Sequence, residues 1–257
     1  LRPGRFDRKV IVDLPTKEDR KDLFKYYLNK INIGKYDKYL VESCVNLTPG
    51  FSGADISNIC NEAAIIGIRN GRDEIIDDDV KNAIDYVMLG NEKNIKLSEK
   101  EEILIAYHEA GHAFISYILN TLPNPVKVSI VPRENGALGF SQSEVGSEIL
   151  YSKQIIEDQI KVLMAGRICE QIFLSNKEIT NGASDDINKA TQLAKKYVRS
   201  FGMVDSNVFL NFEEENDKFY SDFGLRVKDE LDAETIKLIN DMYLSLIHIS
   251  EPTRLDG

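Results

Sequence analysis

The chain has 257 residues, 42% hydrophobic and 29% charged, enough for one large domain or two modest ones with their own cores. A formal net charge of −10, with no clustered Lys/Arg run, argues against a nucleic-acid binder, whose footprint needs a basic face. No apolar run is long enough to span a membrane and no signal peptide is present; Cys44, Cys60 and Cys169 form no CxxC pair and read as buried thiols of a reducing compartment. The opening LRPGRFDRKV has no initiator Met and looks cut from inside a domain, so missing targeting elements say little about a parent protein.

In chain order, RKVIVDLP (8–15) predicts a short buried strand ended by Pro15. Thr16, with Asp19 as capping-box partner, opens a helix to about Asn29. A shorter helix covers about Asp37 to Cys44. TPGFSGAD (48–55) is a Pro/Gly turn, after which Ser52 and Asp55 start a helix that ends near Gly71. Asp77 opens one more, closed by Gly90, so residues 16–90 form a small bundle of about four helices. GNEKNIK (90–96) reads as a linker. Ser98 and Glu101 then cap a helix to about Leu119, and PNP (123–125) breaks it. A hairpin follows, VKVSIVP (126–132), a loop with Gly136 and Gly139, then GFSQSEV. Helices from Ser152 to about Leu174 and from Ser184 to about Ser200 come next. Residues 204–228 read as irregular and acidic, with a last helix from near Asp232. The fold class is mainly α: a small helical bundle, then a mostly helical domain with a short β-hairpin.

AYHEAGHAF (106–114) holds two of the three histidines. A helix turns 100° per residue, so His108 and His112 lie one turn apart on one face and can share a zinc ion, with Glu109 in reach of water beside it. The bland alternative is a pair of solvated histidines. The apolar flanks ILIAY and AFISYIL argue for a buried helix instead. A catalytic zinc needs a third ligand and an open position. Asp185 and Asp186, in the first turn of the helix from Ser184, are the candidates; plain complementarity to the helix dipole explains them equally well on spacing alone.

These segments together resemble the FtsH-type ATP-dependent zinc metalloproteases. LRPGRFDRKVIVDLP looks like the end of the ATPase core of an AAA module, and TPGFSGADISNICNEAAIIGIR like its helical lid. AYHEAGHA resembles the zinc motif, GALGFSQSE the active-site hairpin, LMAGRICEQIF the next helix and NGASDDINKATQLAKKYV the third-ligand helix. The resemblance covers about residues 1 to 243. It implies a remnant of the ATPase core at 1–15, a lid at 16–92 and a metallopeptidase domain at 97–245. It also implies zinc ligands His108, His112 and Asp186, Glu109 as general base, and Glu170 as a neighbour that orients a ligand by hydrogen bonding. The usual family pattern is Ser-Asn-Asp where this chain has Ser184-Asp185-Asp186, so the second acid is the matching one. Arg2 and Arg5 match arginine fingers that reach ATP on a neighbouring subunit, and Gly53 and Ala54 match a lid position near the nucleotide.

The expectation is a piece of an ATP-dependent zinc metalloendopeptidase that degrades unfolded, damaged or short-lived membrane and soluble proteins. The resemblance implies a homo-hexameric, membrane-anchored parent, with this portion soluble on the cytoplasmic or organelle-interior side and no nucleic-acid partner. No GxxxxGK[ST] occurs, so ATP and Mg²⁺ belong to the full-length parent only. The hairpin is a candidate cradle that binds substrate backbone as an added strand. Residues 246–257 (LIHISEPTRLDG) depart from the family's pattern and read as foreign sequence, so His248 is assigned nothing. The rival readings are an assembly module with an inactive or structural metal site, and a stand-alone zinc peptidase.

Overall fold

The computed structural model describes residues 12–34, 36, 38–91, 93, 95–133, 138–143, 150–174, 179–204 and 225–250. The expected strand at 8–15 is not formed over 12–15, where Pro15 and the capping Thr16 lead directly into a helix; its earlier residues lie outside the described range, as do Arg2, Arg5, Gly136 and 251–257. The chain divides into two compact units. One takes the described residues up to 93 together with 132 and 133; the other takes 95–131 and those from 138 onward.

The first unit is built from α1 (Lys17–Leu28), α2 (Lys38–Leu47), α3 (Gly53–Arg69) and α4 (Asp77–Leu89). Its starts are set locally. At α1 and α3 the side chains of Thr16 and Ser52 accept from the amides of Asp19 and Asp55, whose carboxylates return the bond to the cap backbone. Apolar residues at helical spacing then face inward: Phe24 and Leu28 on α1, Val41, Cys44 and Val45 on α2, Ile56, Ile59 and Ala63 on α3, Val80 and Ile84 on α4. Cutting one such fully buried isoleucine back to alanine costs about 2–5 kcal/mol. Gly50 and Gly71 carry φ values of 71° and 70° at the turns beside α3, a region that other residues enter only with strain. Asp79, buried on α4, is held by Arg72 and by the amide of Ile76.

The second unit contains α5 (Glu99–Ile118), strands β1 (Pro125–Ser129) and β2 (Phe140–Ser143), α6 (Lys153–Phe173), α7 (Ser184–Arg199) and α8 (Leu225–Ser250). The strands pair antiparallel, Lys127 opposite Gln142 and Ser129 opposite Phe140, with an irregularity between Pro125 and Lys127. Ser98 and Glu101 form the capping box of α5. α6 is the central helix: Ile156 and Ile160 pack with Ala194, Tyr197 and Val198 of α7, while Ala165 and Ile168 pack with Ile115 of α5 and Leu246 of α8.

The last helix starts at Leu225, seven residues before the expected Asp232, because Leu231 joins the α6–α7 core and draws the preceding turns into the helix. It also continues through Ser250, and Leu246 is 0% exposed, so residues 246–250 contribute to the packing. Among the described residues no helix is long and apolar enough to cross a membrane.

Candidate metal centre

The α5–α6 crossing brings the site together, and two glycines permit it. A Cβ on Gly111 would lie 2.8 Å from Ala165 O and from Cys169 Sγ; one on Gly166 would lie 2.5 Å from His108 Cε1 and 2.6 Å from His112 Nε2. Neither distance is open to a real side chain. The bare backbone of α6 therefore forms the floor beneath the two imidazoles.

Above it, His108 Nε2 and His112 Nε2 lie 3.1 Å apart. Asp186 Oδ2, from the first turn of α7, lies 3.2 Å from the first and 3.3 Å from the second. The far side of each ring is committed elsewhere. His112 Nδ1 lies 2.7 Å from Val162 O, which only accepts, so the ring proton sits on Nδ1. His108 Nδ1 lies 2.7 Å from Glu170 Oε1, whose carboxylate accepts a hydrogen bond from the Nδ1–H of that ring in the same way. In their neutral forms both histidines thus present an Nε2 lone pair to the carboxylate of Asp186.

Three acceptors facing one another at 3.1–3.3 Å repel unless a cation or a proton sits between them. The donor set fits zinc: N and O ligands about 2.0–2.1 Å from a tetrahedral ion stand about 3.3 Å from each other. Among the described residues this is the one group of His, Cys, Asp or Glu able to hold a metal. Without a cation the cluster shares protons. Burial lowers the pKa of His108, but the Asp186 and Glu170 carboxylates outweigh it and raise it overall. Burial likewise raises Asp186, and the hydrogen bonds from His108 and His112 override it and hold its carboxyl well below the usual range.

Glu109 is buried beside this group and roofed by the backbone at Gly139, where a Cβ would lie 2.8 Å from Glu109 Oε1. Burial pushes its carboxyl pKa up, against the pull of His112 and His108. A carboxylate made more basic by burial is a better proton acceptor than an exposed one, which suits a group that takes and returns a proton.

Of the other residues singled out from sequence, Glu170 is 0% exposed and touches His108. Asp185 is exposed and pairs with Lys189 at 2.6 Å, away from the imidazoles. His248 is exposed on α8. Gly53 and Ala54 occupy the first turn of α3; a Cβ on Gly53 would make ordinary contact with Leu23 at 3.7 Å, so packing does not require glycine there. Sequence reasoning missed Gly166, Arg167 and Thr180. Arg167, three residues before Glu170 on one helix face, was the detectable signal, for that spacing makes an ion pair.

Residues 95–252 match the model of peptidase family M41, and residues 39–82 match that of the AAA+ lid domain. The chain is 40% identical over 256 residues to the ATP-dependent zinc metalloprotease FtsH 3 of Petrotoga mobilis, covering 95% of this chain and 39% of the relative. It is 36% identical to the ATP-dependent zinc metalloprotease FtsH of Rhodothermus marinus, covering 94% and 35%, and 35% identical to the mitochondrial ATP-dependent zinc metalloprotease FTSH 10 of Arabidopsis thaliana, covering 98% and 31%. The chain therefore spans between 31% and 39% of these relatives' length.

Proposed function

Because this chain belongs to peptidase family M41, we propose that it is the catalytic part of a zinc metalloendopeptidase, with His108, His112 and Asp186 as ligands and Glu109 as general base. The observation that carries the reading is the trio of acceptor atoms at 3.1–3.3 Å, each imidazole having its other nitrogen engaged. Zinc bound there supplies Lewis acidity and a water acidic enough to ionise near neutral pH. The residues of the chain do the rest. Glu109 takes the proton of the attacking water on a carboxylate oxygen and returns it to the leaving amine nitrogen. Glu170 and Val162 O hold the two rings with their Nε2 atoms turned to the ligand position.

The substrates are unfolded polypeptides. Among the described residues β1 pairs with β2 alone, and Val126 and Val128 on it are exposed, which supports backbone-mediated docking of an extended segment. In the full-length protein, ATP drives delivery of substrate to a homo-hexameric ring tethered to a membrane. Arg2 and Arg5 act there as fingers toward a neighbour's ATP, and Gly53 and Ala54 lie near the nucleotide; the match of 39–82 to an AAA+ lid supports this.

The decisive experiment compares the chain with its Glu109→Gln variant for zinc stoichiometry and casein cleavage. The variant should hold one zinc and lose cleavage. Cleavage retained at the original rate would remove Glu109 from the role of base.

A further inference from the structure

The geometry points to Arg167 as a positioning residue of the metal centre, whose guanidinium ties the carboxylate that orients His108 to the loop that delivers Asp186. This rests on the zinc reading above. Glu170 is fully buried, and both its oxygens are in use: Oε1 meets His108 Nδ1 at 2.7 Å, and Oε2 accepts from Thr180 N at 3.3 Å and from Arg167 Nη1 at 3.4 Å. The second nitrogen of the fork, Arg167 Nη2, donates to Thr180 O at 2.7 Å. Thr180 is thus gripped at both backbone atoms by one Arg–Glu pair on α6. Its own hydroxyl accepts from the amide of Gly182 at 3.1 Å, which stiffens the turn into α7.

That grip matters because α7 has no cap of its own. Its N-cap residue is Ala183, with no side-chain hydrogen bond, where α1, α3, α5 and α6 each have a Ser or Thr. The helix start that carries Asp186 is therefore located by what holds the preceding loop, and Thr180 is where α6 holds it. The two sets of ligands, histidines on α5 and aspartate on α7, are brought into register through a third helix that contributes no ligand. An arginine suits the position because two N–H groups of one rigid plane reach two different acceptors, whereas a lysine offers a single point. Its charge also offsets that of a carboxylate removed from water.

If Arg167 merely packed the loop, its loss would lower the stability of the metal-free chain and leave the affinity of the folded form alone. The test measures the zinc dissociation constant of the full chain by competition with a chromophoric chelator, for wild type, Arg167→Ala and Arg167→Lys. Urea unfolding of each metal-free form and the visible spectrum of each Co²⁺-loaded form are recorded alongside. Arg167→Ala should bind zinc about 10–100-fold more weakly, the range for lost partners of metal ligands, with an altered Co²⁺ spectrum. Arg167→Lys should fall between it and wild type. Wild-type affinity and spectrum in a folded Arg167→Ala overturn the proposal, whatever its urea midpoint. Should the alanine variant fail to fold, the lysine variant decides: weakened zinc binding supports the role, and wild-type binding overturns it. A wild-type chain that takes up no zinc is a different failure, which removes the metal reading and the proposal with it.

Discussion

Asp186 Oδ2 stands 3.2 Å from His108 Nε2, while Asp185, its neighbour in the chain, points outward to Lys189 at 2.6 Å. One residue is 100° of helix rotation, enough to send adjacent acids to opposite environments. Asp186→Asn keeps the shape and removes the charge that offsets a divalent ion, so zinc occupancy should fall sharply. Asp185→Asn should leave it unchanged, because an exposed i,i+4 pair contributes at most about 0.5 kcal/mol. Metal analysis of both variants after dialysis against a weak chelator checks this; the opposite order would relocate the third ligand.

Gly166 offers a test of the floor beneath the imidazoles. In a helix interior alanine is favoured over glycine by about 1 kcal/mol, so Gly166→Ala should stabilise α6 if nothing lay above it. The added methyl would instead lie 2.5–2.7 Å from the rings of His108 and His112, and both must turn away. Zinc stoichiometry near zero is the expected outcome, with the far-ultraviolet circular dichroism of the helices retained. Full zinc loading in this variant would contradict the close crossing of α5 and α6.

The parts of this fold that were legible in the sequence are those written in local chemistry. Thr16–Asp19, Ser52–Asp55 and Ser98–Glu101 each mark a helix start by a bond made within four residues, and the structure forms all three. The spacing of His108, Glu109 and His112 likewise needs only helix geometry. What pattern alone left open depends on atoms distant in sequence. Asp186 and Asp185 look alike until α7 is docked, and Glu170 reads as one more helical acid until its 62-residue separation from His108 is closed. Gly166 and Gly139 carry no signal of their own, for a glycine shows its reason only when the group that would strike its Cβ is in place. The start of α8 was misplaced for the same cause: Leu231 and Leu246 supply a tertiary partner that composition does not reveal.

Gly139 offers a test of the proposed role of Glu109 as base that is separate from metal binding. Its φ is not positive, so alanine is allowed by the backbone, yet the new methyl would lie 2.8 Å from Glu109 Cγ and Oε1 and 2.9 Å from Ile105 Cγ2. Glu109 has to yield, since the backbone before β2 is fixed by strand pairing. Gly139→Ala should keep its zinc and lose about 100-fold in kcat, the scale on which a catalytic group displaced by an ångström fails. A variant with unchanged turnover would show that Glu109 moves freely in its site.

The first unit carries a pH signature of its own. Burial pushes both Cys44 and Cys60 from 9.0 up to about 12. A thiol that ionises later in the folded than in the unfolded chain leaves stability untouched below the unfolded value. It withdraws stability as pH rises from 9 toward 12, because only the unfolded chain then gives up the proton. At about pH 10.5 each thiol should cost about 2 kcal/mol relative to pH 8. Urea midpoints at the two pH values for wild type and for Cys44→Ala/Cys60→Ala isolate the effect from the tyrosines and lysines, which both proteins share. The wild type should lose markedly more on going alkaline. Equal losses would mean that these sulfurs meet water in the folded state, contrary to their 0% and 1% exposure in the core between α2 and α3.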